Sequence, residues 1–404
     1  MPSQRSCLTF ASLELCLFLM FGMEGLFISC QANQYVLAEI EGGFALDPTF
    51  TRQDLKNAIP DRCFRPDTAR SFAYLVFDIA LIALCYWALS RTSAWYFEVP
   101  LIFLLGTLFW SIFVIGHDAG HGAFSRSRLV NTLVGLATHG PILVPYRGWQ
   151  RSHAMHHMKT GHLQEEEVFR ACRAEQDWFS RKVLFRSGIF VLIGWPMYKL
   201  GFRNLTTYDP VHGSHYLPVS DLYASHVKWS WYASLGVNLA FLALYIFLGV
   251  QFGWVFALKY IVAPYFIYAA WLTFVTYMQH VAPEVPVYDS GDWSGLKGAL
   301  ATVDRNYGPF NWLTHNIGNL HVIHHIFPTI PHYRLQEATN AARPVLGDWY
   351  MKSDRFVLAD FVRTLIGCHF VESEDGKEVW KSAYPFAKNY SGPDETGRKE
   401  VPAE

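Results

Sequence analysis

Apolar residues gather into four long stretches, at positions 72–89, 99–116, 229–251 and 254–279. Each is long enough to cross a hydrocarbon core of about 30 Å, which takes about 20 helical residues. The second and third carry no charge. The first contains Asp78 and the fourth Lys259, single charges that packing or snorkelling absorbs. Only short links, at 91–97 and 251–253, join one to two and three to four. The pattern predicts an all-α integral membrane protein whose four transmembrane helices form two hairpins.

Between the hairpins, residues 117–228 are polar and rich in histidine, arginine and lysine, whereas the short links offer Arg91 alone. The positive-inside bias then places 51–71, 117–228 and everything after His280 in the cytosol, as a helical cap on the bundle. Positions 129–145 and 183–200 are apolar but interrupted by His139, Pro141, Arg186 and Pro196, and read as interfacial or re-entrant pieces. Residues 1–51 form an N-terminal extension. Its apolar stretch at 13–29 resembles a signal peptide core or an extra span but is interrupted by Glu14 and Glu24, and we expect it to be retained. The membrane domain is expected over 52–347. A cytosolic C-terminal region follows over 348–404, polar from Lys381 onward.

Composition supports a membrane domain: 51% of residues are hydrophobic and only 17% charged, against roughly 25% charged in ordinary globular chains. A net charge of −1 gives no reason to expect nucleic acid as a partner. The seven cysteines are scattered and form no CxxC, so they read as free thiols rather than zinc ligands or a disulfide framework.

The 17 histidines cluster. His117-Asp-Ala-Gly-His121 directly follows the second span, His153-Ala-Met-His156-His157 lies in the polar segment, and His321-Val-Ile-His324-His325 follows the fourth span. A lone histidine in an apolar region is usually a satisfied core residue, but eight in HxxxH, HxxHH and HxxHH point to metal. Four spans put all three boxes on one membrane face. On a helix, i and i+4 lie about 40° apart and chelate one ion, while i+3 aims at a neighbouring one. The spacing thus predicts two ions, one held by His117, His121, His153, His157 and His324 and the other by His156, His321 and His325. The second set is a ligand short; His280, at the end of the fourth span, is the best candidate, with His315 behind it. His139 and His369 stand outside this scheme. Imidazole suits zinc, copper, iron and nickel, and a structural zinc site closes at four ligands, often with cysteine. Two clustered ions with eight or nine nitrogens and no thiolate point to iron and dioxygen. The competing classes are a zinc transporter, which calls for ionisable residues along the spans, and an inactive membrane scaffold.

These boxes resemble the membrane fatty acyl desaturase family, in particular its methyl-end (ω-3 and Δ12/ω-6) branch. The likeness runs from about Arg52 to Gly347. It includes Ala58-Ile-Pro-Asp-Arg-Cys-Phe64, Leu143-Val-Pro-Tyr146 with Trp149, Asp292-Trp-Ser, Thr302-Val-Asp-Arg305 with Tyr307-Gly, and Phe327-Pro-Thr-Ile-Pro-His-Tyr333. Ala119, Met155 and Arg334 depart from the family's usual residues, and none of them is a ligand position.

The resemblance implies a di-iron (Fe2+) enzyme that uses dioxygen to remove two vicinal hydrogens from a fatty acyl chain, leaving a cis double bond. The chain would ride on phospholipid or coenzyme A. No His-Pro-Gly-Gly haem motif or flavin fingerprint is present, so electrons would come from a separate donor, cytochrome b5 with its reductase, at the endoplasmic reticulum membrane. Asp118 is expected either to orient a ligating imidazole or to be a solvated helix-end residue, and His332 and Arg334 to make headgroup or surface contacts. Acyl hydroxylases, epoxygenases and acetylenases share the boxes. Within the branch, His117-Asp-Ala-Gly-His-Gly122-Ala-Phe and His321-Val-Ile-His-His-Ile-Phe-Pro328 look more like ω-3 than ω-6 members. Ile323 is either a residue that shifts the acyl chain or plain core packing.

Overall fold

The computed structural model describes residues 47–383, apart from 177–183, 185–186, 204–206, 210–212, 219, 224–227 and 375. The apolar stretch at 13–29 and most of the polar tail lie outside the described residues, as does the start of the 183–200 piece. Among the described residues, four helices have the length and hydropathy to cross a membrane: Thr68–Ser90, Trp95–His121, Trp231–Phe252 and Trp254–His280, with mean hydropathy 2.0, 2.3, 2.0 and 1.5. The chain is thus helical and membrane-spanning, and three small two-stranded sheets sit beside the helices.

The spans start and stop for local reasons. Asp67 caps the first, its carboxylate accepting from the Arg70 amide at 3.1 Å. Box one ends the second span, where Gly122 takes a left-handed conformation (φ 74°) that closes the helix. The second span is the central one, 61% buried against 11–22% for the other three. It packs against the first and fourth spans and against helix Arg128–His139. Much of the main core lies around it, with Trp110, Phe113, Tyr146, Trp149 and Tyr268.

The two charges inside the apolar stretches, Asp78 and Lys259, are both paired. Lys259 donates to Glu98 (2.6 Å) and to the Thr92 carbonyl (3.3 Å), beside a π-helical turn at Leu258–Val262. Asp78, nearly inaccessible, lies 2.7 Å from the His315 ring.

The polar region is anchored to the ends of the spans. Buried Arg305 donates to the Met278 carbonyl (2.6 Å) and pairs with Asp360 and Glu284, so helix Val357–Gly367 is tied to the end of the fourth span. Strand Phe370–Glu374 pairs antiparallel with Lys377–Lys381, and Trp380 donates to the Val285 carbonyl. The apolar pieces between the hairpins become helices Arg128–His139 and Phe190–Leu200, which expose Leu129, Leu133 and Leu192. Among the described residues, Cys63, Cys85, Cys172 and Cys368 are buried and form no disulfide.

Candidate metal centre

Box one occupies the last turn of the second span, box two helix Tyr146–Lys159, and box three the short helix His321–Ile326. Their imidazoles meet in two groups. In the first, one ring nitrogen each of His117, His121, His153, His157 and His324 lies within 4.8 Å of all the others. In the second, His156, His280 and His325 do the same. His321 adjoins the second group, its Nε2 3.0 Å from that of His325. His315 joins neither group, because its Nε2 is committed to Asp78. His139 packs behind Trp149, and His369 accepts from the Ala383 amide.

Close backbone packing brings the boxes together. A Cβ on Gly120 would meet the Trp149 ring at 2.8 Å, so only glycine lets box one approach the box-two helix this closely. The Trp149 ring in turn stacks at 5.0 Å and 18° on His153. Box three is fixed by Asp304, whose carboxylate accepts from the backbone amides of His321 (2.6 Å) and Val322 (2.8 Å) and from the Tyr350 hydroxyl. Burial pushes the Asp304 carboxyl up to about 7.

The donor set fits metal ions. Nε2 atoms face one another at 3.1 Å (His153–His157), 3.2 Å (His157–His324), 3.2 Å (His156–His280) and 3.0 Å (His321–His325). Burial, reinforced by the neighbouring imidazoles, drives His153, His157, His321, His324 and His325 well below the usual histidine range, so each is neutral at pH 7. Neutral imidazoles carry one lone pair each, and inward-facing lone pairs repel unless a cation sits between them.

Around the boxes, the solvated alternative for Asp118 falls and His332 is placed otherwise than the sequence suggested. Asp118 is buried, not solvated; its Oδ2 accepts from the His332 amide (2.9 Å) and ring Nδ1 (2.8 Å), while Oδ1 stays 3.8 Å from the His117 ring. His332 is correspondingly buried rather than a surface or headgroup contact. Sequence reasoning missed Glu166, which receives the Nδ1–H of His156 at 2.7 Å. It is the middle one of three consecutive glutamates after box two, and no spacing rule singles it out.

A cavity opens against the second group and one side of the first, lined by His117, His153, His156, His280 and His321. Its other walls are apolar and strongly aromatic, with Trp110, Phe113, Trp149, Phe169, Phe190 and Trp195. Ile323 is fully buried in the main core and does not line the cavity. The arrangement offers an apolar substrate a place beside the two histidine groups.

Comparison with known proteins agrees with this chemistry. Residues 93–354 match the family model described as fatty acid desaturase. The chain is 40% identical to an sn-1 acyl-lipid omega-3 desaturase (ferredoxin) of Synechocystis sp., covering 82% of this chain and 91% of the relative. It is 38% identical to an omega-3 fatty acid desaturase, endoplasmic reticulum, of Nicotiana tabacum, covering 87% and 94%. A Delta(12)-fatty-acid desaturase of Vernicia fordii is 36% identical, covering 85% and 93%. With histidine boxes gathered at the ends of apolar spans and a matching family model over most of its length, this chain belongs to the fatty acid desaturase family of membrane oxidoreductases.

Proposed function

We propose that the chain is an ω-3 desaturase acting on an 18- or 20-carbon ω-6 acyl chain. The observation that carries the acyl assignment is the aromatic cavity ending on four box histidines and His280. The two box sequences and the names of two of its relatives favour ω-3 over Δ12. The reading assigns iron to both groups. One ion is held by His117, His121, His153, His157 and His324, the other by His156, His280, His321 and His325. Bound reduced iron, with dioxygen, supplies the oxidising power to take two vicinal hydrogens from an unactivated methylene pair.

The protein's own part is positioning. The apolar walls exclude water and hold the chain extended, so the bond that reacts is set by where the methyl end stops. Asp304 and Gly120 hold the boxes in register, and Glu166 orients His156. In this reading residues 52–347 carry catalysis in the membrane of the endoplasmic reticulum, the compartment in the tobacco relative's name, with the boxes on its cytosolic side. Cytochrome b5 and its reductase deliver electrons there; the ferredoxin of the cyanobacterial relative's name is the other carrier of this kind.

Expression in yeast, which makes oleate but no linoleate, tests the assignment. Conversion of fed linoleate to α-linolenate, with no linoleate in unfed cells, is the result expected. Linoleate in unfed cells together with no ω-3 product in fed cells assigns Δ12 activity instead, and a hydroxylated product assigns the hydroxylase chemistry of the same family.

A further inference from the structure

Among the described residues, Glu166 is the only carboxylate within hydrogen-bond distance of a box imidazole. Its side chain is 5% exposed. One oxygen accepts from His156 Nδ1 (2.7 Å) and from the amides of Glu167 (2.9 Å) and Val168 (3.2 Å); the other accepts from the Gly161 amide (3.0 Å). The turn after box two therefore builds a socket that holds this carboxylate against one ring. No lysine or arginine side chain pairs with it among the described residues; its side-chain partner is the His156 ring. A buried anion calls for positive charge nearby, or for a metal. None of the other outward nitrogens of this group meets a carboxylate: Thr160 lies 3.3 Å from His325 Nδ1, Thr302 3.5 Å from His280 Nδ1, and His321 Nδ1 has no hydrogen-bond partner. In the five-histidine group the outward nitrogens of His117, His157 and His324 have no hydrogen-bond partner at all.

We propose that Glu166 is a positioning residue for one metal of the pair: it fixes His156 with Nδ1 protonated and Nε2 turned inward as a ligand. The two ions then differ in how firmly they are held. Loss of the carboxylate loosens the ion held by His156, His280, His321 and His325 and leaves the other in place. This rests on the two-metal reading above.

The test uses full-length protein in detergent, loaded anaerobically with ferrous iron and dialysed against graded chelator, with iron per chain as the readout. Glu166→Gln keeps a carbonyl to accept from Nδ1–H but removes the charge; Glu166→Ala removes both. Glu165→Gln is the control, since that side chain is half exposed and pairs with Lys159. The unaltered chain and the control should retain about two iron ions. Both Glu166 variants should release about one of them at chelator concentrations about 10–100-fold lower, the range seen when a hydrogen-bond partner of a ligand is removed, with Gln less affected than Ala. Should the Ala variant fail to fold, the Gln variant decides. Unchanged chelator resistance, or parallel loss of both ions, overturns the proposal. An unaltered chain that binds fewer than two ions overturns the two-metal reading itself, and the control arm separates these failures.

Discussion

Gly120 shows how much rests on a single missing methyl group. Any Cβ there presses on Trp149, and Trp149 stacks on His153. Overpacking of this kind typically costs about 1–3 kcal/mol, and a shift of about 1 Å at a reacting centre costs on the order of 100-fold in rate. Gly120→Ala should therefore insert normally in the membrane and lose about 100-fold in turnover, read as product per unit of immunodetected protein; turnover near that of the unaltered chain would mean that the ring pair does not set ligand geometry. Residue-scale legibility was uneven for a physical reason. The box histidines declare themselves because chelation demands helical spacing. Glu166 and Asp304 act through chain reversals that bring distant positions into contact, as when Asp304 receives amides 17 and 18 residues away. His332 looked like a surface residue because nothing in its neighbourhood shows that Asp118, 214 residues earlier, would bury it.

At the scale of elements, the turn entering the box-two helix is held by an unusual buried base. Leu143 adopts a positive φ of 53°, and its carbonyl accepts from the Lys199 ammonium (2.7 Å) and the Tyr216 hydroxyl (3.2 Å). Lys199 also donates to the Tyr265 hydroxyl and is almost wholly buried in helix Phe190–Leu200. Burial pulls its ammonium down to about 7. A base with a lowered native value binds fewer protons folded than unfolded between that value and its ordinary 10.5, so stability rises with pH across that window and the cost is fully present below it. Thermal unfolding in detergent should show midpoints that climb between about pH 7 and 10, and Lys199→Met should flatten that climb. A slope that persists in the variant would place its origin elsewhere. The sequence could mark 183–200 as apolar and interfacial, but not that one lysine turns inward to hold a loop.

The whole molecule follows from hydropathy to a large extent: four apolar blocks became four candidate spans, with ends shifted by a few residues where caps intervene. Hydropathy could not rank them. That the second span is the buried axis while the third is 11% buried depends on which faces find partners, and 3.6-residue periodicity is faint in uniformly apolar helices. The segment after Gly347 is likewise bound to the bundle through Arg305 and Asp360, an ion pair that no local pattern announces.

All of this converges on one claim, that boxes from three distant segments assemble two metal sites beside an acyl cavity. Metal analysis of the purified chain tests it most directly. The account predicts about two iron ions per chain, loss of iron in His121→Ala and His280→Ala, and retention of both in His315→Ala, whose ring is bound to Asp78. Zinc in place of iron, a single ion per chain, or loss of iron in His315→Ala with retention in His280→Ala would contradict it.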